Sequence, residues 1–208
     1  MTKNHKIMLM SYHPNRKHIR LTNFDYTLPG DYFVTVVTHD RSPIFGRIVD
    51  FAMELNDFGK IVSEEWQKTA SLRREVDLGP FVVMPNHIHG IIRIVDLASN
   101  NSSNDVGARR AVPLPKLETM DFQKNDQIGF AENLERFGKP VSGSMPTIVR
   151  AFKSAVTKRI NEIRATPGLP IWQRNYYEHI IRTDKEFQEI ESYILNNPLN
   201  WLNDDENQ

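Results

Sequence analysis

The chain has 208 residues, of which 39% are hydrophobic and 25% charged, and its 26 basic side chains balance 26 acidic ones for a formal net charge of zero. That length suits one domain with an insertion, and the charge balance excludes a global basic signature for nucleic-acid binding, so any such contact must come from local patches. The absence of cysteine excludes disulfides, zinc–thiolate sites and a cysteine nucleophile.

Residues 1–24 carry Lys3, Lys6, Arg16, Lys17 and Arg20 and no acid, which reads as a basic arm able to touch phosphates or as a solvated tail. Neither this end nor any later stretch offers the ~20 apolar residues that span a bilayer, so the expectation is a cytoplasmic protein with no membrane partner. A single domain is expected over 25–201. Tyr32 to Thr38 follows the turn signal Pro29-Gly30 and is rich in β-branched and aromatic residues. It predicts a central strand, with Phe33, Thr35 and Val37 on one face and Val34 and Val36 on the other. From Lys60 to Arg74, Ile61, Val62, Trp66 and Ala70 recur at helical spacing, with Asn56 or Asp57 as the cap.

Val76 to Met84 reads as a strand interrupted at Gly79-Pro80, and His87 to Val95 as its partner across the turn residues Pro85-Asn86. Within the second strand His87 and His89 are two apart, so their imidazoles share a face and can hold one divalent ion, while Ile88 faces a core. Residues 96–143 lack any period, begin with a polar low-complexity run, and read as a flexible insertion. Helical spacing returns from Pro146 to Arg164 in Ile148, Val149, Phe152, Val156, Ile160 and Ile163. The opposite side carries Arg150, Lys153, Lys158, Arg159 and Arg164, a candidate surface for a nucleic-acid backbone. An aromatic loop with Trp172, Arg174, Tyr176 and Tyr177 leads into a strand ending near Arg182. A last helix spans about Lys185 to Asn196, with Asp184 as its cap, and stops before Asn197-Pro198. Residues 202–208 read as a disordered acidic tail.

Without the insertion the order is β–α–β–β–α–β–α, whose first six elements are those of a ferredoxin-like, split βαβ fold. The expected class is α+β: an antiparallel sheet with helices on one face, the other face open, and a C-terminal helix carrying Tyr193. Tyr193 and Asn197 lie one helical turn apart on the same side. A phenol there can be a nucleophile, and an amide oxygen can join the two histidines around a metal ion that polarises a phosphate.

Val83-Met84-Pro85-Asn86-His87-Ile88-His89 resembles the histidine–hydrophobe–histidine motif of the single-tyrosine (HUH) transposases. The segment from Leu169 to Arg182, with Trp172-Gln173 and Tyr176-Tyr177-Glu178-His179, and the closing Tyr193-Ile194-Leu195-Asn196-Asn197-Pro198 resemble those of the REP-associated tyrosine transposases. The resemblance covers about 20–201 apart from the insertion. It implies an enzyme that nicks and rejoins single-stranded DNA near hairpins through a 5′-phosphotyrosine. His87 and His89 would bind Mg²⁺ or Mn²⁺, Asn197 would be the third ligand, and Tyr193 the nucleophile. Arg16, Lys17, Arg150, Lys153, Lys158 and Arg174 are the candidate DNA contacts, and a homodimer is compatible with this reading. A metal hydrolase on an eight-stranded barrel is excluded by the short chain that follows the histidines. A ferredoxin-like sheet that holds single-stranded nucleic acid without cutting it is the remaining alternative.

Overall fold

A computed structural model describes residues 24–97 and 141–207. The basic arm, with Arg16 and Lys17, and most of the expected insertion lie outside the described residues.

Strand β1 (Gly30–Val37) is followed by a hairpin of β2 (Gly46–Val49) and β3 (Ala52–Leu55), helix α1 (Asp57–Ser71), β4 (Val76–Val83) and β5 (His87–Ile94). Helix α2 (Met145–Ile163), β6 (Tyr177–Ile181), α3 (Asp184–Asn196) and a 3₁₀ turn over Pro198–Asn203 complete the described chain. The main sheet runs in the order β4-β5-β1-β6, with every neighbouring pair antiparallel. This is the split βαβ topology expected from the sequence. The β4–β5 register shifts between Leu78 and Phe81, where Pro80 cannot donate to the ladder.

The sheet pleat sorts residues as alternation requires. β1 and β5 pair with Phe33 opposite Ile91, Thr35 opposite His89 and Val37 opposite His87. On the other face Tyr32, Val34, Val36, Ile88 and Ile92 meet Trp66 of α1 and Ile148, Phe152 and Val156 of α2 in the main core. Gly90 is required there, because a Cβ would sit 2.4 Å from the Trp66 ring. Arg159 of α2 ties the helices together through Glu64 and Glu65 of α1, each at 2.7 Å.

The second face is not open as expected. Phe187, Ile190 and Ile194 of α3 pack on it, against Phe33 and Ile91. The hydrophobic period of α3 needs a partner, and Phe33 and Ile91 are the apolar members of that face. Its cap is Thr183, whose hydroxyl accepts from the Glu186 N–H, rather than Asp184. Helix α1 starts at Asp57, three residues before the expected Lys60, behind the Asn56 cap, whose side chain accepts from the Gly59 N–H. The β2–β3 hairpin was not apparent from pattern. Its turn places Asp50 and Phe51 at φ 47° and 62°, where Asn-Gly is usual, so no turn signal marks it. Residues 202–207 are also not a free tail: the 3₁₀ turn carries them back onto the β4–β5 turn, where Asn86 Nδ2 donates to the Glu206 carbonyl at 2.6 Å.

Candidate metal centre

Strand β5 and the C-terminal turn converge on one buried cluster. His87 and His89 project from β5, and Asp204 follows the 3₁₀ turn; one ligand atom of each lies within 4.8 Å of the others. The two imidazole rings are 4.4 Å apart. His87 Nε2 lies 3.9 Å from Asp204 Oδ2.

Neighbouring groups fix which nitrogen of each ring faces the cluster. Asn86 uses its Nδ2 to donate to the Arg41 and Glu206 carbonyls, so its Oδ1 accepts from His87 Nδ1 at 2.7 Å. His87 Nε2 is then a lone-pair nitrogen, buried and without a hydrogen bond. Thr35 Oγ1 meets His89 Nδ1 at 2.8 Å, and Tyr193 Oη meets His89 Nε2 at 3.2 Å. If the phenol donates, Nε2 accepts and Nδ1–H donates to Thr35. Burial, together with the charge of Arg41, pushes the His87 pKa down to about 3. Burial and the neighbouring His87 push His89 in the same direction. Both rings are therefore neutral, the protonation state a metal ligand requires.

Tyr193 stands beside this cluster on the last turn of α3. Its ring packs edge-on against His89 and Phe33 at centroid distances of 5.1 and 6.1 Å. Burial raises the pKa of its phenol, and the carboxylates of Asp204, Glu206 and Asp205 raise it further. Asn197 is buried at the C-cap of α3. Its Nδ2 donates to Asp204 Oδ2 at 2.8 Å, and its Oδ1 is buried without a hydrogen bond. His87 Nε2 and Asn197 Oδ1, both buried without a hydrogen bond, and the Asp204 carboxylate beside the imidazoles make a donor set suited to a divalent cation.

The structure brings His87, His89, Tyr193 and Asn197 together as the sequence led one to expect, and it adds Asp204. A carboxylate in an acidic terminal run gave no signal of that role, because no spacing links it to the histidines. Of the expected DNA contacts, those among the described residues do not converge here. Arg150, Lys153 and Lys158 lie on α2, which covers the opposite face of the sheet. Lys153 is spent on the chain itself: its Nζ donates to the Gln173 carbonyl at 2.7 Å and to the Arg174 carbonyl at 3.2 Å. Lys158 and Arg174 are exposed. Ile171 and Trp172 are core residues, with Trp172 packed against Phe45 and Phe152. His179 sits opposite Phe33 on β6 and pairs with Glu186 of α3 at 2.6 Å, away from the cluster.

Fold and site together define a ferredoxin-like α+β protein with a buried two-histidine, one-carboxylate cluster facing a helix-borne tyrosine. A REP-associated tyrosine transposase, solved bound to a REP hairpin, has the same fold: TM-score 0.50 at 17% identity, over 88% of this chain and 72% of that one. A solved Deinococcus radiodurans protein overlaps more loosely, with TM-score 0.40 and 13% identity over 85% of this chain and 97% of the other. No protein-family model matches the chain. An uncharacterized protein of Haemophilus influenzae (strain Rd) is 34% identical over 193 residues, spanning 91% of this chain and 92% of the relative, and the chain belongs to the same family. No helix among the described residues is long and apolar enough to cross a membrane.

Proposed function

We propose that the chain is a metal-dependent enzyme that nicks and rejoins single-stranded DNA near hairpins, with Tyr193 as the nucleophile. The observation that carries this reading is the 3.2 Å approach of Tyr193 Oη to His89 Nε2, on the rim of the His87–His89–Asp204 cluster. The shared fold of a transposase solved on a REP hairpin supports the substrate class.

His87 Nε2, His89 Nε2 and the Asp204 carboxylate would hold Mg²⁺ or Mn²⁺, with Asn197 Oδ1 facing the same space. A divalent cation there would polarise a phosphate oxygen and oppose the burial and carboxylate charge that raise the Tyr193 pKa. Asn86 and Thr35 hold the imidazoles with Nε2 inward, and α3 holds the phenol beside them. In the step itself, a bond forms between Tyr193 Oη and phosphorus as the bond from phosphorus to O3′ breaks. The phenolic proton is lost and the departing 3′ oxygen gains one, so charge balances and a 5′-phosphotyrosine results. Rejoining is the reverse attack by a 3′ hydroxyl.

The test is incubation of a hairpin-bearing oligonucleotide with the protein and Mn²⁺, resolved on a denaturing protein gel. A covalent adduct is expected from the parent protein and none from Tyr193→Phe or after chelation. An adduct that persists in Tyr193→Phe would sink the nucleophile assignment, and one that persists after chelation would sink the metal's role.

A further inference from the structure

Three of the five non-glycine residues with positive φ among the described residues border a single cleft: Arg41 at 55°, Asp50 at 47° and Phe51 at 62°. The cleft has a volume of about 800 Å³ and lies between the β2–β3 hairpin and the C-terminal 3₁₀ turn. The two-residue β2–β3 turn requires positive φ at Asp50 and Phe51, and a bulky aromatic is an unusual residue to place there. Phe51 is 67% exposed, so packing within the chain does not account for an aromatic side chain at this turn position. Leu199 and Leu202, both exposed, face it across the cleft.

The cleft adjoins the metal cluster through two shared neighbours. Trp201 lines it and stacks on His87, with ring centroids 6.1 Å apart at 30°. Asn86 lines it and holds His87 Nδ1. Arg47 stands on the wall, paired among the described residues with Glu54 in a surface contact that solvent screens. An aromatic platform, an arginine able to exchange its partner and a shared wall with a phosphate-chemistry site match one kind of occupant. We propose that this cleft takes an unpaired nucleobase of the DNA strand whose phosphate lies at the His87–His89–Asp204 cluster, stacked on Phe51. The assignment rests on the single-stranded DNA reading given above, and it adds a base-holding site to it. A second copy of the chain or an apolar peptide would lack a reason to adjoin the histidines.

Phe51→Gly separates binding from structure. Glycine accepts this backbone conformation freely, so the variant is expected to melt at a higher temperature than the parent. Its affinity for a fluorescein-labelled hairpin oligonucleotide with single-stranded flanks, measured by anisotropy in chelator, is expected to fall about 5- to 150-fold, the range of one base–aromatic stack. Phe51→Trp should retain the parent affinity. An abasic site walked through the flank should cost the parent a similar factor at one position, and Phe51→Gly nothing further there. Equal affinity of Phe51→Gly and parent overturns the cleft assignment; if the Tyr193 adduct still forms, the DNA-joining reading stands without it. Failure of the parent to bind the oligonucleotide overturns both. Conversion of a dimer to a monomer by Phe51→Gly, with DNA affinity unchanged, assigns the cleft to a second copy instead.

Discussion

On β5, Ile88 and Ile92 point into the layer made by α1 and α2, while their neighbours His87 and His89 point toward α3 and the C-terminal turn. On β1, Val34 and Val36 take the first side, and Phe33 and Thr35 the second. One face is a continuous apolar core. The other mixes a small apolar cluster around Phe33 and Ile91 with two buried imidazoles, a buried carboxylate and a phenol. The same hydrogen-bonded ladder holds both faces, and only odd or even position in the strand decides which one a residue serves. Stability and chemistry are therefore separable by parity, so substitutions can strike one and spare the other.

The largest expected effect lies on the polar face. Tyr193→Phe should lower DNA joining by on the order of 10³-fold or more, as loss of a nucleophile does. Stability should change little, because only one hydrogen bond of about 1 kcal/mol is removed. Gel-resolved joining rates and a thermal melt check the two halves. A variant that melts many degrees lower would mean that the phenol holds the fold together.

Ile88→Ala probes the dry face from the position between the two histidines. Ile88 is fully buried in the main core, so the change should cost about 2–5 kcal/mol of unfolding free energy. Below the unfolding transition, Mn²⁺ affinity should stay within a few-fold of the parent. Denaturant melts and a calorimetric Mn²⁺ titration decide it. A large loss of metal binding in the folded variant breaks the separation by parity.

How much of this was legible in the sequence follows the same division. The main sheet, α1, α2 and α3 could be read because alternation and helical spacing leave periodic traces in Val34, Val36, Ile148 and Phe152. His87 and His89 were legible because a strand puts residues two apart on one face. Tyr193 and Asn197 were legible from one turn of helix. Asp204 was not, since its place depends on a 3₁₀ turn folding the chain back onto Asn86, and that is a tertiary contact without a local pattern. The β2–β3 hairpin was hidden because its turn uses Asp50 and Phe51 in place of glycine. The basic side of α2 was legible only in part. Charge spacing showed a cationic stripe but not that Lys153 reaches across to carbonyls and Arg159 to the carboxylates of α1.

Asp204 therefore offers the sharper comparison within the polar face. Asp204→Asn keeps the shape and removes the charge, and Mn²⁺ affinity should fall at least ~10-fold. Asn197→Ala should fall less, since its amide braces the Asp204 carboxylate at 2.8 Å. The two are compared by the same calorimetric titration. A larger loss in Asn197→Ala than in Asp204→Asn would make the amide the ligand and the carboxylate its support.

The smallest effect belongs to Lys153, on the dry side. Burial lowers its pKa to about 8, against about 10.4 in an unfolded chain. Between those values the unfolded state holds more protons than the folded one, so this group makes stability rise with pH from about 8 to about 10. Below pH 8 both states are charged, and the destabilisation is constant. Lys153→Met abolishes the titration, so the parent should gain stability relative to the variant as pH rises through that window. Denaturant midpoints of both proteins at pH 7, 8, 9 and 10 measure the difference, and titrations common to both cancel in it. The salt dependence of oligonucleotide binding should be the same in both proteins, because Nζ is committed to the Gln173 and Arg174 carbonyls rather than to phosphate. A salt slope that falls by about one in Lys153→Met would return this lysine to the DNA-binding surface and move the substrate onto the helical face.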